Sequence, residues 1–163
     1  MGKKPVESWL KTRNDVCYEM DVPKYYSQGA AADTCEISAP WSTIGEIHAA
    51  VKERLPQEME NLVSIGGHSS HSYLNGTNIY FTFAFLKQEG VPIKEDYMKL
   101  VGVIMDETLK RGGSIAHHHG SGKYRTRGMP QEHGSSYPLL YKLKDVLDPK
   151  HILNKGVLLV DKP

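Results

Sequence analysis

The fold class expected from the sequence is α+β, an antiparallel sheet with helices packed mainly on one face, and three observations predict it. Residues 78–85 (NIYFTFAF) alternate Ile79, Phe81, Phe83 and Phe85 against Tyr80, Thr82 and Ala84, the period-two pattern of a half-buried strand. Residues 94–111 repeat their apolar side chains every three and four positions, the pattern of an amphipathic helix. Strand and helix segments also alternate along the chain through hairpin-like links, which favours adjacent antiparallel strands with helices to one side.

Taken in order, Pro5–Asn14 reads as a short helix with Trp9 and Leu10 on one side and Lys11 and Arg13 on the other. Val22-Pro23 breaks that pattern, and Gln28–Asp33 (QGAAAD) reads as a loop. Thr34–Ser38 alternates around Cys35 and Ile37, a strand that ends before Pro40. The next helix carries Ile44, Ile47, Val51 and Leu55 on one stripe, with Thr43 and Glu46 at capping-box spacing and Pro56 as its stop. Residues 61–65 make a strand that pairs with 78–85 across a long polar connection, because Asn75-Gly76 is turn chemistry. The 94–111 helix places Tyr97, Leu100, Val101, Ile104, Thr108 and Leu109 inward and ends on Gly112. A glycine- and histidine-rich passage fills 112–136. A last helix then turns Leu139, Leu140, Leu143, Val146 and Leu147 inward and stops at Asp148-Pro149, and Val157–Val160 reads as a terminal strand.

The 163 residues suit one domain with a real core. Twenty basic against nineteen acidic side chains give a net charge of +1, so no broad cationic field invites nucleic acid or a membrane surface. No apolar run approaches the roughly 20 residues of a membrane span. No signal peptide is expected, since Met1–Lys4 leads straight into an amphipathic segment. Cys17 and Cys35 cannot build a disulfide framework and suit a reducing cytoplasm. No Rossmann glycine fingerprint, P-loop or internal repeat is present.

Two passages carry residues that do chemistry. In the first, four glycines, Lys123 and three adjacent histidines (His117, His118, His119) follow the long helix. HHHGSG resembles an affinity-tag linker, but an apolar helix still follows it, which argues against a tag remnant. A solvated loop is the plain alternative, and metal binding is another, since imidazole is the commonest metal ligand. In extended backbone, successive side chains alternate, so at most His117 and His119 would share a face, and no metal site is expected. In the second passage, His68, His71 and Tyr73 sit together on the polar connection before the aromatic strand. A phenol beside two imidazoles can work as an acid or base. Neither passage has a strong zinc motif, and no G-x-S-x-G elbow is available for a serine nucleophile.

These residues carry a family resemblance. GGSIAHHHGSGKYR, HSSHSYLNGTNIYFTF, EISAPWSTI and LKDVLDPKHILNKGVLL stand in the order and spacing found in the C-terminal part of FAD-linked oxidases of the vanillyl-alcohol-oxidase type. The branch resembled most is that of alkyldihydroxyacetonephosphate synthase and its bacterial relatives, over essentially residues 5–160. The resemblance implies a ferredoxin-like cap domain filling 1–163, which roofs a flavin held by an FAD-binding domain or subunit that this chain lacks. It also implies that residues 150–163 dock on that missing domain. It places Tyr73, His117, His118 and His119 on the catalytic positions, His119, Gly120 and Asn154 against the cofactor, and His71, Lys123 and Arg125 on a small-molecule substrate. The metal-dependent 2-hydroxyacid dehydrogenase branch differs, because SYLNGTNI lacks its aspartate and second histidine, and His118 stands in place of its glutamate.

Two functions are therefore expected to compete. One is the substrate or cap portion of an FAD-dependent oxidoreductase or synthase-like enzyme, inactive alone, whose uncovered face self-associates. The other is a stand-alone, non-enzymatic α+β module that binds a metal or an anion through its histidine loop.

Overall fold

The computed structural model describes residues 3–13 and 29–160. Cys17, Val22-Pro23 and Gln28 lie outside the described residues. After α1 (Lys3–Thr12), the chain runs β1 (Ala30–Pro40), α2 (Trp41–Glu58), β2 (Leu62–His68), β3 (Gly76–Leu86) and α3 (Ile93–Lys110). The three strands form one antiparallel sheet in the order β1-β3-β2, so β3 is central. This βαββα unit is an α+β fold of the expected class.

The alternation in β3 is realised directly. Ile79, Phe81, Phe83 and Phe85 are buried, as are Cys35 and Ile37 of β1. They meet Ile47, Val51 and Leu55 of α2 and Leu100, Val101 and Ile104 of α3 in a single cluster. The two long helices thus cover one face of the sheet, and burying such side chains stabilises the fold by about 1.5–3 kcal/mol each. The opposite face carries Glu36, Tyr80 and Thr82.

Several boundaries differ from the sequence reading. β1 begins at Ala30, so residues 30–33 are strand rather than loop, because Ala30 to Asp33 pair with Leu86 to Phe83. A complete ladder outweighs the weak strand propensity of alanine. The capping box does not form: α2 starts at Trp41, its N-cap is Pro40, and Thr43 lies inside the first turn. The helix also passes through Pro56 to Glu58, with Leu55 fully buried in the core. β2 extends to His68 and β3 back to Gly76. Gly112 does close α3, at φ +69°, with its N–H on Leu109 O at 3.2 Å.

The 112–136 passage is a run of short turns rather than an open loop. It contains α4 (Gly122–Arg125), α5 (Met129–His133) and two 3₁₀ turns, and leads into α6 (Tyr137–Leu147). The orientation expected for α6 is corrected. Leu139, Leu143, Val146 and Leu147 are 56–79% exposed, and only Leu140 of that set packs on the core. Apolar periodicity identifies a face that needs a partner, and here no element of the described chain supplies one. The terminal strand is also corrected: residues 157–160 form no strand. Ser38 and Ser114 exchange backbone hydrogen bonds at 3.0 and 2.7 Å, and Arg125 reaches Glu36 O. The tail is instead tied to Tyr137, Tyr141 and Thr126. No helix among the described residues is long and apolar enough to cross a membrane.

Candidate functional site

The site is built around a buried carboxylate on the open face of the sheet. Glu36 pairs across the ladder with Tyr80 and is fully buried. Its Oε1 accepts the backbone N–H groups of His117 (3.0 Å), His118 (2.9 Å) and His119 (2.7 Å), and Oε2 accepts that of His117 again at 2.9 Å. Burial alone would raise the Glu36 pKa. The N–H groups of His119, His117 and His118 and the nearby Arg125 outweigh it, so the carboxyl is held below its usual range. Arg125 completes the brace, donating to Gly120 O at 2.6 Å and to Glu36 O at 3.0 Å.

Curling around Glu36 changes which histidines meet. The backbone is not extended here, so His117 and His118, not His117 and His119, come together, with their Nδ1 atoms 2.7 Å apart. The His119 ring lies edge-on to Tyr80, with centroids 5.3 Å apart.

The opposing wall is the turn between β2 and β3. Buried Asn78 holds it from below, its Oδ1 accepting the N–H groups of Ser70 (3.3 Å) and His71 (3.0 Å). Trp41 Nε1 donates to Tyr73 O at 3.0 Å. Gly76 must be glycine, since a Cβ there would sit 2.3 Å from Ala39 O. Held in this way, Tyr73 Oη lies 2.8 Å from His117 Nε2, and Tyr80 Oη 2.5 Å from His118 Nε2. The His71 ring tilts against both imidazoles, at 5.4 and 5.0 Å, and its Nδ1 is 2.8 Å from Ser70 Oγ. A cavity of about 240 Å³ opens beside Tyr73 and His117, bounded by Ser38, Pro40, Asn75 and Gly112.

Of the residues singled out in the sequence, Tyr73, His71, His117 and His118 therefore converge, and His119 joins them through Tyr80. Gly120 turns the chain away at φ +73°. Lys123 is exposed on α4. Arg125 is only 7% exposed and braces the main chain rather than facing an open site. Asn154 is exposed at φ +47° and lines a different cavity of about 830 Å³ between α6 and the tail, together with Ser121, Tyr141 and Lys155. Glu36, Tyr80 and Asn78 escaped the sequence reading, since each looks like an ordinary outward residue of a strand. The Glu36–Tyr80 register becomes visible only once the strands are paired. His71, His117 and His118 also offer one ligand atom each within 4.8 Å of one another, close enough to share a cation. The Nδ2 of Asn78 is buried without a hydrogen-bond partner among the described residues.

The chain is 41% identical over 131 residues to the uncharacterized FAD-linked oxidoreductase YgcU of Escherichia coli K12, a match covering 77% of this chain and 27% of that protein. It is 30% identical over 167 residues to the alkyldihydroxyacetonephosphate synthase of Trypanosoma brucei brucei, covering 100% of this chain and 27% of the synthase. A solved alkyldihydroxyacetonephosphate synthase structure superposes with a TM-score of 0.58 at 22% identity, over 88% of this chain and 23% of that one, which shows a shared fold. The chain thus spans about a quarter of the length of the relatives it matches. Residues 8–158 match the family model described as FAD linked oxidases, C-terminal domain, and the chain belongs to that family.

Proposed function

We propose that the chain is the cap of an FAD-dependent oxidoreductase or of an alkyldihydroxyacetonephosphate synthase-like enzyme. In this reading it covers a flavin gripped by a separate FAD-binding domain or subunit and presents Tyr73, His117, His118 and His119 to a small-molecule substrate. The observation that carries the reading is the Tyr73 Oη–His117 Nε2 contact of 2.8 Å on the sheet face that the long helices leave open.

The residues present suit a flavin. The half-exposed Tyr73 phenol and the exposed His119 imidazole are donors for the acceptor atoms of a planar heterocycle. His119 and Gly120 are the residues of this site that would hold it, while Asn154 lies in the separate cavity between α6 and the tail. When bound, FAD supplies the hydride or carbanion chemistry. Tyr73 takes or gives a proton at the substrate carbon, with His117 as its hydrogen-bond partner, a role worth about 10²- to 10⁴-fold in rate. His119, whose ring lies beside Tyr80, stabilises developing negative charge on the substrate. His71 and exposed Lys123 supply donors for a phosphate or carboxylate. The apolar stripe of α6, with Ile152 and Leu153 exposed beyond it, is the surface on which the flavin domain and the tail meet, and in its absence the stripe favours self-association. The buried free thiol of Cys35 suits a cytoplasmic enzyme.

Tyr73→Phe in the assembled enzyme is expected to abolish turnover while FAD stays bound. Turnover within about twofold of the parent would reject the assignment. The convergence of His71, His117 and His118 favours a second reading, a stand-alone module that holds a metal ion. A visible flavin spectrum in the assembled protein supports the first reading. A colourless protein with stoichiometric zinc by elemental analysis supports the second.

A further inference from the structure

The hydrogen-bonded contact that begins at Tyr73 continues beyond His117. His117 meets Tyr73 through Nε2 and His118 through Nδ1, and His118 in turn meets Tyr80 through Nε2. Four side chains from two segments therefore form one line, Tyr73–His117–His118–Tyr80. Neutral imidazole carries one ring proton, on one nitrogen or the other. A single proton fits in the Nδ1···Nδ1 gap of 2.7 Å. The two rings must then be opposite tautomers, which leaves two self-consistent directions. In one, Tyr73 O–H donates to His117, His117 Nδ1–H to His118, and His118 Nε2–H to Tyr80. In the other, every bond is reversed.

We infer that this line is a proton relay and that Tyr80 is its outer terminus. The inference rests on the cap reading for the task of Tyr73. The proton of Tyr73 passes to His117 Nε2, the Nδ1 proton of His117 passes to His118 Nδ1, and the Nε2 proton of His118 passes to Tyr80 Oη. Tyr80 releases its own hydroxyl proton to water. One proton leaves Tyr73, one reaches solvent, both imidazoles end neutral in the other tautomer, and Tyr73 is left as the phenolate that accepts a proton from substrate. The reverse sequence reloads it. Tyr80 acts through the imidazoles and is a positioning residue. Its ring is fixed by stacking on His68 at 4.9 Å, and Glu36 fixes the backbone of the two histidines. Tyr80 is partly exposed, which gives its hydroxyl access to solvent.

Long-range ¹H–¹⁵N spectra of the imidazoles in the full ¹⁵N-labelled chain test the line without flavin or substrate. The expected result is one Nδ1–H shared by His117 and His118, seen as opposite tautomers or as complementary averaged populations. Two independent Nε2–H rings would overturn the relay. Tyr80→Phe keeps the stacked ring and removes the hydroxyl. It should shift the ring nitrogens of His117, which Tyr80 does not touch, whereas a response confined to His118 contradicts the proposal. If the variant fails to fold, the wild-type tautomer pair still decides. In the assembled enzyme, Tyr80→Phe should lower kcat by about tenfold or more with KM unchanged. An unchanged kcat removes Tyr80 from proton delivery. A failed tautomer test leaves the cap reading standing, and a failed Tyr73→Phe test leaves the line of hydrogen bonds standing.

Discussion

Three successive backbone N–H groups, those of His117, His118 and His119, converge on one buried carboxylate, and Arg125 ties the same loop to the edge of β1. Removing the charge of Glu36 strands those donors and leaves the Arg125 guanidinium without its counter-charge. Such losses cost about 3–5 kcal/mol when one partner of a buried pair is deleted. Glu36→Ala is expected to lose stability on that scale in chemical denaturation, and a loss below about 0.5 kcal/mol would show that the loop holds itself. At this scale the sequence was half legible. Tyr73 and the histidines stood out because phenols and imidazoles in glycine-rich stretches are chemically conspicuous. Glu36 did not, because a lone acid in an alternating strand looks like a solvated residue until a loop is laid across it.

At the scale of elements, α2 and α3 are fastened by more than their apolar stripes. Glu107 of α3 accepts hydrogen bonds from Arg54 of α2 (2.8 Å) and from Arg111 (2.5 Å), with Lys110 at 3.1 Å. Burial would raise its pKa, but the hydrogen bonds from Arg111, Arg54 and Lys110 bring it down to about 2 from an ordinary value of 4.5. A carboxyl depressed in the folded state contributes stability that is complete above the ordinary pKa and lost as the pH falls toward the folded one. The contribution is on the order of 2 kcal/mol, lost between about pH 4.5 and 2. Glu107→Gln should therefore have a thermal midpoint that is less steep over that window than the parent, and parallel curves would refute the coupling. The helix stripes and the aromatic strand were legible because their periods are long and regular. The histidine loop was not, because a curl around a carboxylate has no period. The facing of α6 was misread for another reason: an apolar stripe announces burial without naming the partner.

For the whole molecule, the sheet divides the labour. One face is closed by α2 and α3 over an aromatic core, and the other holds Glu36, Tyr80 and the converging imidazoles. Beyond it, α6 and the tail expose Leu139, Leu143, Val146, Leu147, Ile152 and Leu153, apolar side chains that suit an interaction surface. A shape with one closed face, one face of phenols and imidazoles, and one apolar helix left uncovered by the described residues suits the cap reading. The most direct measurement is a structure of this chain assembled with its flavin-loaded partner. The account predicts Tyr73 and His117 facing the isoalloxazine across a substrate-sized gap, with the α6 stripe buried in the interface. A flavin seated against α2 and α3, with the Tyr73–His117 pair turned to solvent, would contradict it.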